Sequence, residues 1–309
     1  MTNTMETIVI SDISRNYGPV KALQHVSFAV KQGELFGLIG PDGAGKTTLF
    51  KILVTLLLAD SGEARVAGLD VVRDYKKLRT LMGYMPGRFS LYPDLSVQEN
   101  LSFFATVFGT TIAANYELIR DIYSQLEPFK NRLAGKLSGG MKQKLALCCA
   151  LIHKPAVLFL DEPTTGVDAV SRKEFWEMLR RLKERGLTIL VSTPYMDEAG
   201  LCDRIALIQT GKILAVDTPE GLTQRFGKAL YAVRAANTYQ LIQDLRQAPF
   251  TAYSYAFGEY MHLTVRSEAT TPVQIQTYLQ QRQHQGLEVK QIAPTIEDSF
   301  IALMAGQPG

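Results

Sequence analysis

Nine consecutive residues have the composition and spacing of a phosphate-binding loop. They read GPDGAGKTT and match G-x-x-x-x-G-K-[ST], between a predicted strand (35–40) and a predicted helix (47–58). Glycines let backbone N–H groups close around phosphate oxygens at the positive end of a helix. The pattern predicts that Lys46 reaches the β and γ phosphates and that Thr47 ligates Mg²⁺, although a chance glycine turn is the alternative. The loop comprises Gly40, Pro41, Asp42, Gly43, Ala44, Gly45, Lys46, Thr47 and Thr48.

A second apolar run, AVLFLDE (156–162), ends in two carboxylates. At the end of a buried strand, Asp161 is placed to hold Mg²⁺ through water, and Glu162 to orient or deprotonate an attacking water. Alone, such an acidic pair is also an ordinary helix start. The pair becomes specific only together with the phosphate loop.

A third segment combines a hydroxyl with two glycines before the predicted helix MKQKLALCCALI (141–152). Ser138 can cap that helix, and the glycines expose N–H groups at its positive end, which predicts a second anion-binding helix start. An ordinary N-cap explains the four residues equally well. They are Leu137, Ser138, Gly139 and Gly140.

The elements that must position these groups alternate between strands and helices. Strands are predicted at 7–17 and 25–34, and the capping box SVQE (96–99) starts a helical stretch that continues to about residue 154. An amphipathic helix (171–186), a buried strand (187–193) and a hairpin (204–217) follow. Buried strands joined by helices predict an α/β fold with ligands at the carboxyl ends of the strands.

The periodicity changes after about residue 220. Strand and helix candidates then follow in the order βαββαβ, which is the ferredoxin-like order, and a last helix closes the chain. The division predicts an accessory α+β module over 221–309, serving dimer contact, regulation of the first domain's activity or simple stabilisation. His262 and His284 are isolated in the sequence, and we interpret them as surface or packing residues.

The composition is that of an ordinary globular protein. The 309 residues are 46% hydrophobic and 20% charged, and the net charge of +3 gives no argument for a nucleic-acid partner. Two of the three cysteines, Cys148 and Cys149, are adjacent, which argues against a disulfide framework or a zinc site. No apolar run approaches the roughly 20 residues of a spanning helix, and no signal peptide is expected. Action at a membrane would therefore need a partner.

The phosphate loop, LSGG and the Asp-Glu pair, in this order and spacing over about residues 5–220, resemble the ATP-binding-cassette (ABC) ATPases. The resemblance implies a P-loop ABC-type domain over 1–220, with a RecA-like core, an antiparallel β subdomain and a helical subdomain at about 88–155, binding ATP and Mg²⁺. Two such subunits pair head to tail in the family, and each ATP lies between the loop of one and the LSGG of the other. The resemblance implies that Tyr17 stacks on adenine and that Asp168 crosses the dimer interface. A half-buried strand-end tyrosine is the alternative for Tyr17.

The phrases GYMP, LAGKLSGGMKQKL and STxYMDEA are similar to the ABC-2 class of exporters, including drug-efflux members. That similarity implies separate transmembrane permease subunits as partners and a location at the cytoplasmic face of the membrane. The docking groove would lie near residues 84–95, which carry Phe89, Leu91 and Tyr92. These side chains equally fit a plain core.

Two positions depart from the family pattern. Gly87 follows GYMP where the family has glutamine, and Pro194 stands where the family has histidine. Both groups would face this chain's own nucleotide, and removing one transition-state donor typically costs about 10²- to 10³-fold in rate. Slow hydrolysis with retained ATP binding is expected at the chain's own loop.

The complete LSGG segment, which acts on a partner's ATP, favours an asymmetric heterodimer with a fully equipped ATPase subunit. An active homodimer with substitute groups is the alternative. Two other functions remain: a soluble ABC protein that regulates translation or DNA processes, and a pseudo-enzyme that only dimerises. The single cassette without a basic tract disfavours the soluble regulatory function.

Overall fold

The computed structural model describes residues 5–88, 90–267 and 269–305. The chain divides after Pro219 into two compact units. Among the described residues, no helix combines the length and the apolar character needed to cross a bilayer.

Residues 5–88 and 90–219 of the first unit form ten strands and six α-helices. The strands are β1 (Glu6–Tyr17), β2 (Val20–Lys31), β3 (Leu35–Ile39), β4 (Ser61–Val66), β5 (Leu69–Asp70), β6 (Met82–Met85), β7 (Val157–Asp161), β8 (Thr188–Thr193), β9 (Arg204–Gln209) and β10 (Lys212–Asp217). The helices are α1 (Lys46–Leu53), α2 (Tyr75–Leu81), α3 (Val97–Val107), α4 (Ile112–Tyr123), α5 (Gly139–Leu151) and α6 (Ala169–Glu184). Short 3₁₀ helices cover Glu127–Phe129, Ala134–Lys136 and Met196–Leu201.

Two sheets organise this unit. The larger has the order β10-β9-β3-β8-β7-β6, in which β10 is antiparallel to β9 and all other neighbours are parallel. The smaller is antiparallel, with the order β2-β1-β4-β5. Strands β3, β7 and β8 are buried along their whole length, as expected for parallel strands covered on both faces.

The register of the parallel strands brings their carboxyl ends to one edge. Ile39 pairs with Thr193, Asp161 with Ser192, and Met85 with Leu160. The loops after β3, β6, β7 and β8 therefore leave the sheet at the same edge, which is where ligands bind in such sheets.

A hydrophobic core joins the two sheets and α1. Phe50 of α1 packs edge-on against Phe159 of β7 with 6.1 Å between the ring centroids, and Phe28 of β2 stacks on Phe36 of β3 at 5.2 Å. All four rings are buried. Because α1 follows the glycine-rich loop directly, this packing fixes the position of that loop.

The helical segment begins as the sequence predicts. Ser96 caps α3, and its hydroxyl accepts from the Glu99 amide while the Glu99 carboxylate accepts from the Ser96 amide. The capping box is therefore confirmed. The predicted helix over 47–58 is too long, because α1 ends at Leu53 and Thr55 takes a left-handed φ of 64°.

The second unit has the predicted βαββαβ order. Its elements are α7 (Pro219–Gln224), which crosses the division, then β11 (Leu230–Arg234), α8 (Thr238–Gln247), β12 (Thr251–Phe257), β13 (Tyr260–Val265), α9 (Pro272–Gln280), β14 (Glu288–Ile292) and α10 (Ile296–Ala305). The antiparallel sheet has the order β12-β13-β11-β14. Apolar residues of α8, α9 and one sheet face form its own core, including Leu241, Leu245, Leu263, Ile275 and Leu279.

Of the two interpretations of the histidines in this unit, surface or packing residue, the structure supports packing. His262 is buried, with its Nδ1 2.6 Å from an Asp298 carboxylate oxygen, and His284 is buried, with its Nε2 2.8 Å from Asp244. The partners lie 36 and 40 residues away in the sequence. Pairing across such separations leaves no local pattern, so the sequence could not reveal it.

Candidate active site

The glycine-rich loop connects β3 to α1 and packs closely against neighbouring backbone. A Cβ atom at Gly40 would lie 2.2 Å from the Ile208 carbonyl oxygen, and one at Gly45 would lie 2.4 Å from that of Ala22. Gly45 also has a left-handed φ of 105°. Only glycine satisfies both constraints, so the loop follows a path that a side chain would block.

Lys46 is the first residue of α1 and is almost fully buried. Its ammonium donates to the carbonyl oxygens of Gly40 at 2.8 Å and Pro41 at 3.0 Å. It also lies 3.0 Å from the Glu162 carboxylate. The lysine charge is thus held inside the curve of the loop, where backbone N–H groups and a cation together suit a phosphate.

The remaining loop residues differ in exposure. Asp42, Gly43 and Thr47 are exposed, Pro41 and Thr48 are half-buried, and Ala44 is buried. The Ala44 carbonyl accepts from the Gly211 amide at 2.9 Å, which ties the loop to the β9–β10 turn. The exposed Thr47 hydroxyl is therefore free to serve as a metal ligand.

Asp161 and Glu162 stand at the end of β7. Asp161 is buried, and its Oδ1 accepts from the Ser192 hydroxyl at 2.7 Å. The Glu162 amide donates to the Ser192 carbonyl at 3.1 Å and to its hydroxyl at 3.0 Å. Glu162 has a left-handed φ of 51°, a strained conformation for this residue that is typical of functional sites.

The structure brings Lys46, Asp161 and Glu162 to one edge of the sheet, as the sequence predicts. Thr47 and Asp161 supply a hydroxyl and a carboxylate, the oxygen donors that Mg²⁺ prefers. A glycine cradle, a buried lysine and these two ligands fit a magnesium–triphosphate complex. Burial and the Asp161 charge also raise the pKa of the nearby Tyr84 well above its usual value.

Gly87 and Pro194, the two departures from the family pattern, border the same part of the site. A Cβ atom at the exposed Gly87 would lie 2.9 Å from the Asp161 carbonyl oxygen and 3.7 Å from the Glu162 Cβ. Pro194 directly follows Thr193, whose carbonyl accepts from the Gly40 amide at 3.3 Å. Residues 87 and 194 therefore border the loop and the Asp-Glu pair from two sides.

The LSGG segment lies against a different part of the unit. Ser138 caps α5 by accepting from the Met141 amide at 3.3 Å. A Cβ atom at Gly139 would lie 3.6 Å from the Gly166 carbonyl, and one at Gly140 would lie 2.5 Å from the Ser171 hydroxyl. Leu137 and Gly140 are buried, whereas Ser138 and Gly139 are exposed and available to a partner.

Asp168 caps α6, and Tyr17 ends β1. The Asp168 carboxylate accepts from the amides of Val170 at 3.1 Å and Ser171 at 2.9 Å, and these bonds hold its pKa below the usual range. Tyr17 is 45% exposed, and the Arg15 guanidinium lies 5.4 Å from its ring centroid. A ring with this exposure at the end of β1 fits both base stacking and the half-buried strand-end alternative.

An apolar groove of about 420 Å³ lies beside the helical segment. Leu91 is buried in its lining, and Tyr92 is 47% exposed, packing edge-on against Phe103. Phe89, predicted to line the same groove, lies outside the described residues. His153 lines the groove, stacked on Phe108 with 3.8 Å between centroids.

Sequence reasoning missed one residue at this edge. Glu198 is fully buried, and its carboxylate accepts from the hydroxyls of Thr164 at 2.8 Å and Thr193 at 2.5 Å. It stands beside the exposed Asp197, and an acidic pair after a strand is ordinarily a helix start. No local signal therefore distinguishes Glu198 from its neighbour.

The sequence matches a family model described as ABC transporter over residues 23–165. A Nod factor export ATP-binding protein I from Rhizobium etli is 34% identical over 303 residues, covering 97% of this chain and 93% of that protein. A probable multidrug ABC transporter ATP-binding protein, YbhF of Escherichia coli, is 44% identical over 220 residues. That match covers 70% of this chain, but the chain spans only 38% of the length of YbhF.

Solved structures agree on the fold of the first unit. An ATP-binding subunit of an ABC transporter superposes with a TM-score of 0.65 at 28% identity, covering 72% of this chain and 93% of that one. A dimeric ABC transporter cassette superposes with a TM-score of 0.62 at 24% identity, which shows the fold alone. The predicted P-loop α/β fold class is confirmed.

Proposed function

Because the chain belongs to the family of ABC transporter ATP-binding proteins, we propose that it binds MgATP and energises a membrane exporter as an ATPase subunit. The observation that carries the proposal is the meeting of three groups from separate elements. Lys46 follows β3, whereas Asp161 and Glu162 end β7, yet the Lys46 ammonium lies 3.0 Å from the Glu162 carboxylate. Relatives named for multidrug and Nod factor export support an export role.

In the proposed reaction, loop N–H groups and Lys46 bind the phosphates, and Tyr17 stacks on the base. Thr47 and Asp161 would hold Mg²⁺, which neutralises charge that develops on the phosphate oxygens. A phosphate oxygen that pairs with Lys46 replaces the present Glu162 contact and leaves that carboxylate free. Glu162 then takes a proton from water as the water oxygen bonds to the γ phosphorus and the bond to the β–γ bridging oxygen breaks.

Hydrolysis at the chain's own loop is proposed to be slow. Gly87 and Pro194 lie where side chains could aim donors at the γ-phosphate side of the site, and neither can donate from its side chain. Binding depends on Lys46 and the loop backbone, which are intact. The chain would therefore retain ATP much longer than it takes a fully equipped cassette to turn over.

The exposed Ser138 and Gly139 would serve the ATP of a second subunit, and we favour a heterodimer over a homodimer. Asp168 would lie at the same interface. Mixing the chain with a candidate partner cassette tests this arrangement. Ser138→Ala or Gly139→Val should abolish ATPase activity of the mixture, whereas the lone chain should hydrolyse ATP poorly. Equal turnover by the lone chain and the mixture would support the homodimer instead.

Permease subunits of the ABC-2 type are the proposed membrane partners, which would place the chain at the cytoplasmic face of the membrane. The apolar groove lined by Leu91, together with the exposed Tyr92 that follows it in the chain, is the proposed docking place. Detergent extraction and affinity purification of the tagged chain should recover a protein with several membrane-spanning helices, and Tyr92→Asp should weaken that recovery. A chain that instead purifies with ribosomes or DNA would favour the soluble regulatory function.

A further inference from the structure

A buried carboxylate links the two loops that follow β7 and β8. Glu198 accepts from Thr164 and Thr193 through different carboxylate oxygens, at 2.8 and 2.5 Å. The nearest cationic nitrogen, Arg172 Nε, is 3.9 Å away. Burying a carboxylate without a close cation costs roughly several kcal/mol unless hydrogen bonds compensate. Both threonine hydroxyls are therefore needed at this position.

The two threonines belong to the loops that border the proposed phosphate site. Thr164 follows Glu162 by two residues, and Thr193 immediately precedes Pro194. The Thr193 hydroxyl also accepts from the Tyr195 amide at 3.1 Å, so it fixes the backbone around Pro194. The Glu198 side chain thus joins the two loops directly by hydrogen bonds.

The loop after β7 continues to the segment that the LSGG glycines contact. Asp168 caps α6 through the amides of Val170 and Ser171, and Ser171 is the residue against which Gly140 packs. A Cβ atom at Gly140 would lie only 2.5 Å from the Ser171 hydroxyl, so little slack exists between these helices. Contacts therefore run without interruption from the chain's own phosphate site to the segment that would serve a second site.

We propose that Glu198 is a positioning residue that transmits ATP occupancy of the chain's own loop to the 164–171 segment and the LSGG glycines beside it. The inference rests on the proposed function, because it requires ATP at the loop. Glu198 acts through the threonines and not through the nucleotide. It fixes the loop after β8 relative to the loop after β7. Because Pro194 has no side-chain donor to contact the phosphate, the hydrogen bonds of Glu198 couple ATP binding to the conformation of residues 164–171 in its place.

Amide hydrogen exchange of the full chain, with and without a non-hydrolysable ATP analogue and Mg²⁺, tests the proposal. The wild-type chain should gain roughly tenfold protection in peptides over 164–171 on binding, the size expected for one charge-assisted hydrogen bond. Glu198→Gln should lose most of that gain while its analogue affinity stays within about threefold, because the phosphate contacts are untouched. The exposed neighbour supplies a matched control, since Asp197→Asn should behave as the wild type.

A second pair of variants separates transmission from simple folding stability. Thr164→Ser keeps the hydroxyl and should keep the protection, whereas the near-isosteric Thr164→Val should lose it. Undiminished protection in Glu198→Gln or Thr164→Val, or no analogue-dependent protection over 164–171 in a wild-type chain that binds the analogue, would overturn the inference. A wild-type chain that fails to bind the analogue would instead overturn the proposed function.

Discussion

Restoring the two missing donors should accelerate hydrolysis at the chain's own site. The perturbation is Pro194→His, Gly87→Gln, or both, with Pro194→Ala and Gly87→Ala as matched controls that change the backbone without adding a donor. If the missing donors limit the reaction, the histidine and glutamine variants hydrolyse ATP faster than the wild type and the alanine controls do not. All variants should bind ATP as the wild type does, because Lys46 and the loop are unchanged.

The structure predicts different gains in hydrolysis rate for variants at positions 87 and 194. A well-placed donor lowers the barrier by about 2.7–4 kcal/mol, and an imperfectly supported one recovers part of that. A Cβ atom at Gly87 would lie 2.9 Å from the Asp161 carbonyl oxygen, closer than real Cβ contacts. The backbone shift required costs about 1–3 kcal/mol, which offsets most of the gain for Gly87→Gln.

Pro194→His leaves the hydrogen bond between the Gly40 amide and the Thr193 carbonyl in place, because that bond is made by backbone atoms. We expect about a 10- to 100-fold gain for this variant and less than about tenfold for Gly87→Gln. The double variant should exceed either one without reaching the product of the two, since donors that act on one transition state are not additive.

Single-turnover phosphate release measures the effect directly. The chain is used in excess over labelled ATP, at concentrations where a second copy can supply Ser138 and Gly139. Pro194→His that binds ATP normally but releases phosphate no faster than Pro194→Ala would refute the reasoning. So would a wild-type chain whose release rate already equals that of a cassette with both family residues.

Three further outcomes follow from local geometry. Phe50→Ala should destabilise the first unit by about 3–5 kcal/mol in denaturant unfolding, because the fully buried ring contacts Phe159. Arg15→Ala should weaken ATP binding by about two- to fivefold and leave inorganic triphosphate binding unchanged, since the guanidinium lies against the Tyr17 ring and otherwise pairs with Asp60, not with the phosphate loop. Burial lowers the pKa of His153 despite its bond to a carbonyl, so the unfolded chain takes up the proton first and stability falls as pH drops below about 6.5, the ordinary histidine value; His153→Gln should lose less stability than the wild type between pH 7.5 and 5.

The sequence predicted those features of the site that local chain geometry determines. Glycine spacing around Lys46, the apolar run before Asp161 and the capping box at Ser96 each specify a short stretch of backbone. The register of parallel strands then brings the stretches together, because the carboxyl ends of such strands share an edge. Periodicity alone sufficed for the βαββαβ order of the second unit as well.

Contacts between distant side chains were beyond the same reasoning. Glu198 is 34 residues from Thr164, and His262 is 36 residues from Asp298. An acidic residue at a helix start and a lone histidine in a strand are each more often exposed to solvent than buried, so the sequence favours the exposed interpretation. The early end of α1 was missed for a related reason, since its leucine-rich continuation satisfies a helical pattern while Thr55 adopts a left-handed conformation.

The fold itself would allow the proposed site to lose catalysis and still bind ATP. Lys46 and the loop glycines are fixed by β3, α1 and their backbone contacts with Ala22 and Ile208. Residues 87 and 194 follow β6 and β8, which are separate strands. Because different elements supply the two sets of groups, substitutions at 87 and 194 leave the cradle undisturbed. Under the proposed function, such a site would lose water activation through changes at separate strand ends while its affinity for the triphosphate persists, and the LSGG segment at the start of α5 would remain available to a second subunit.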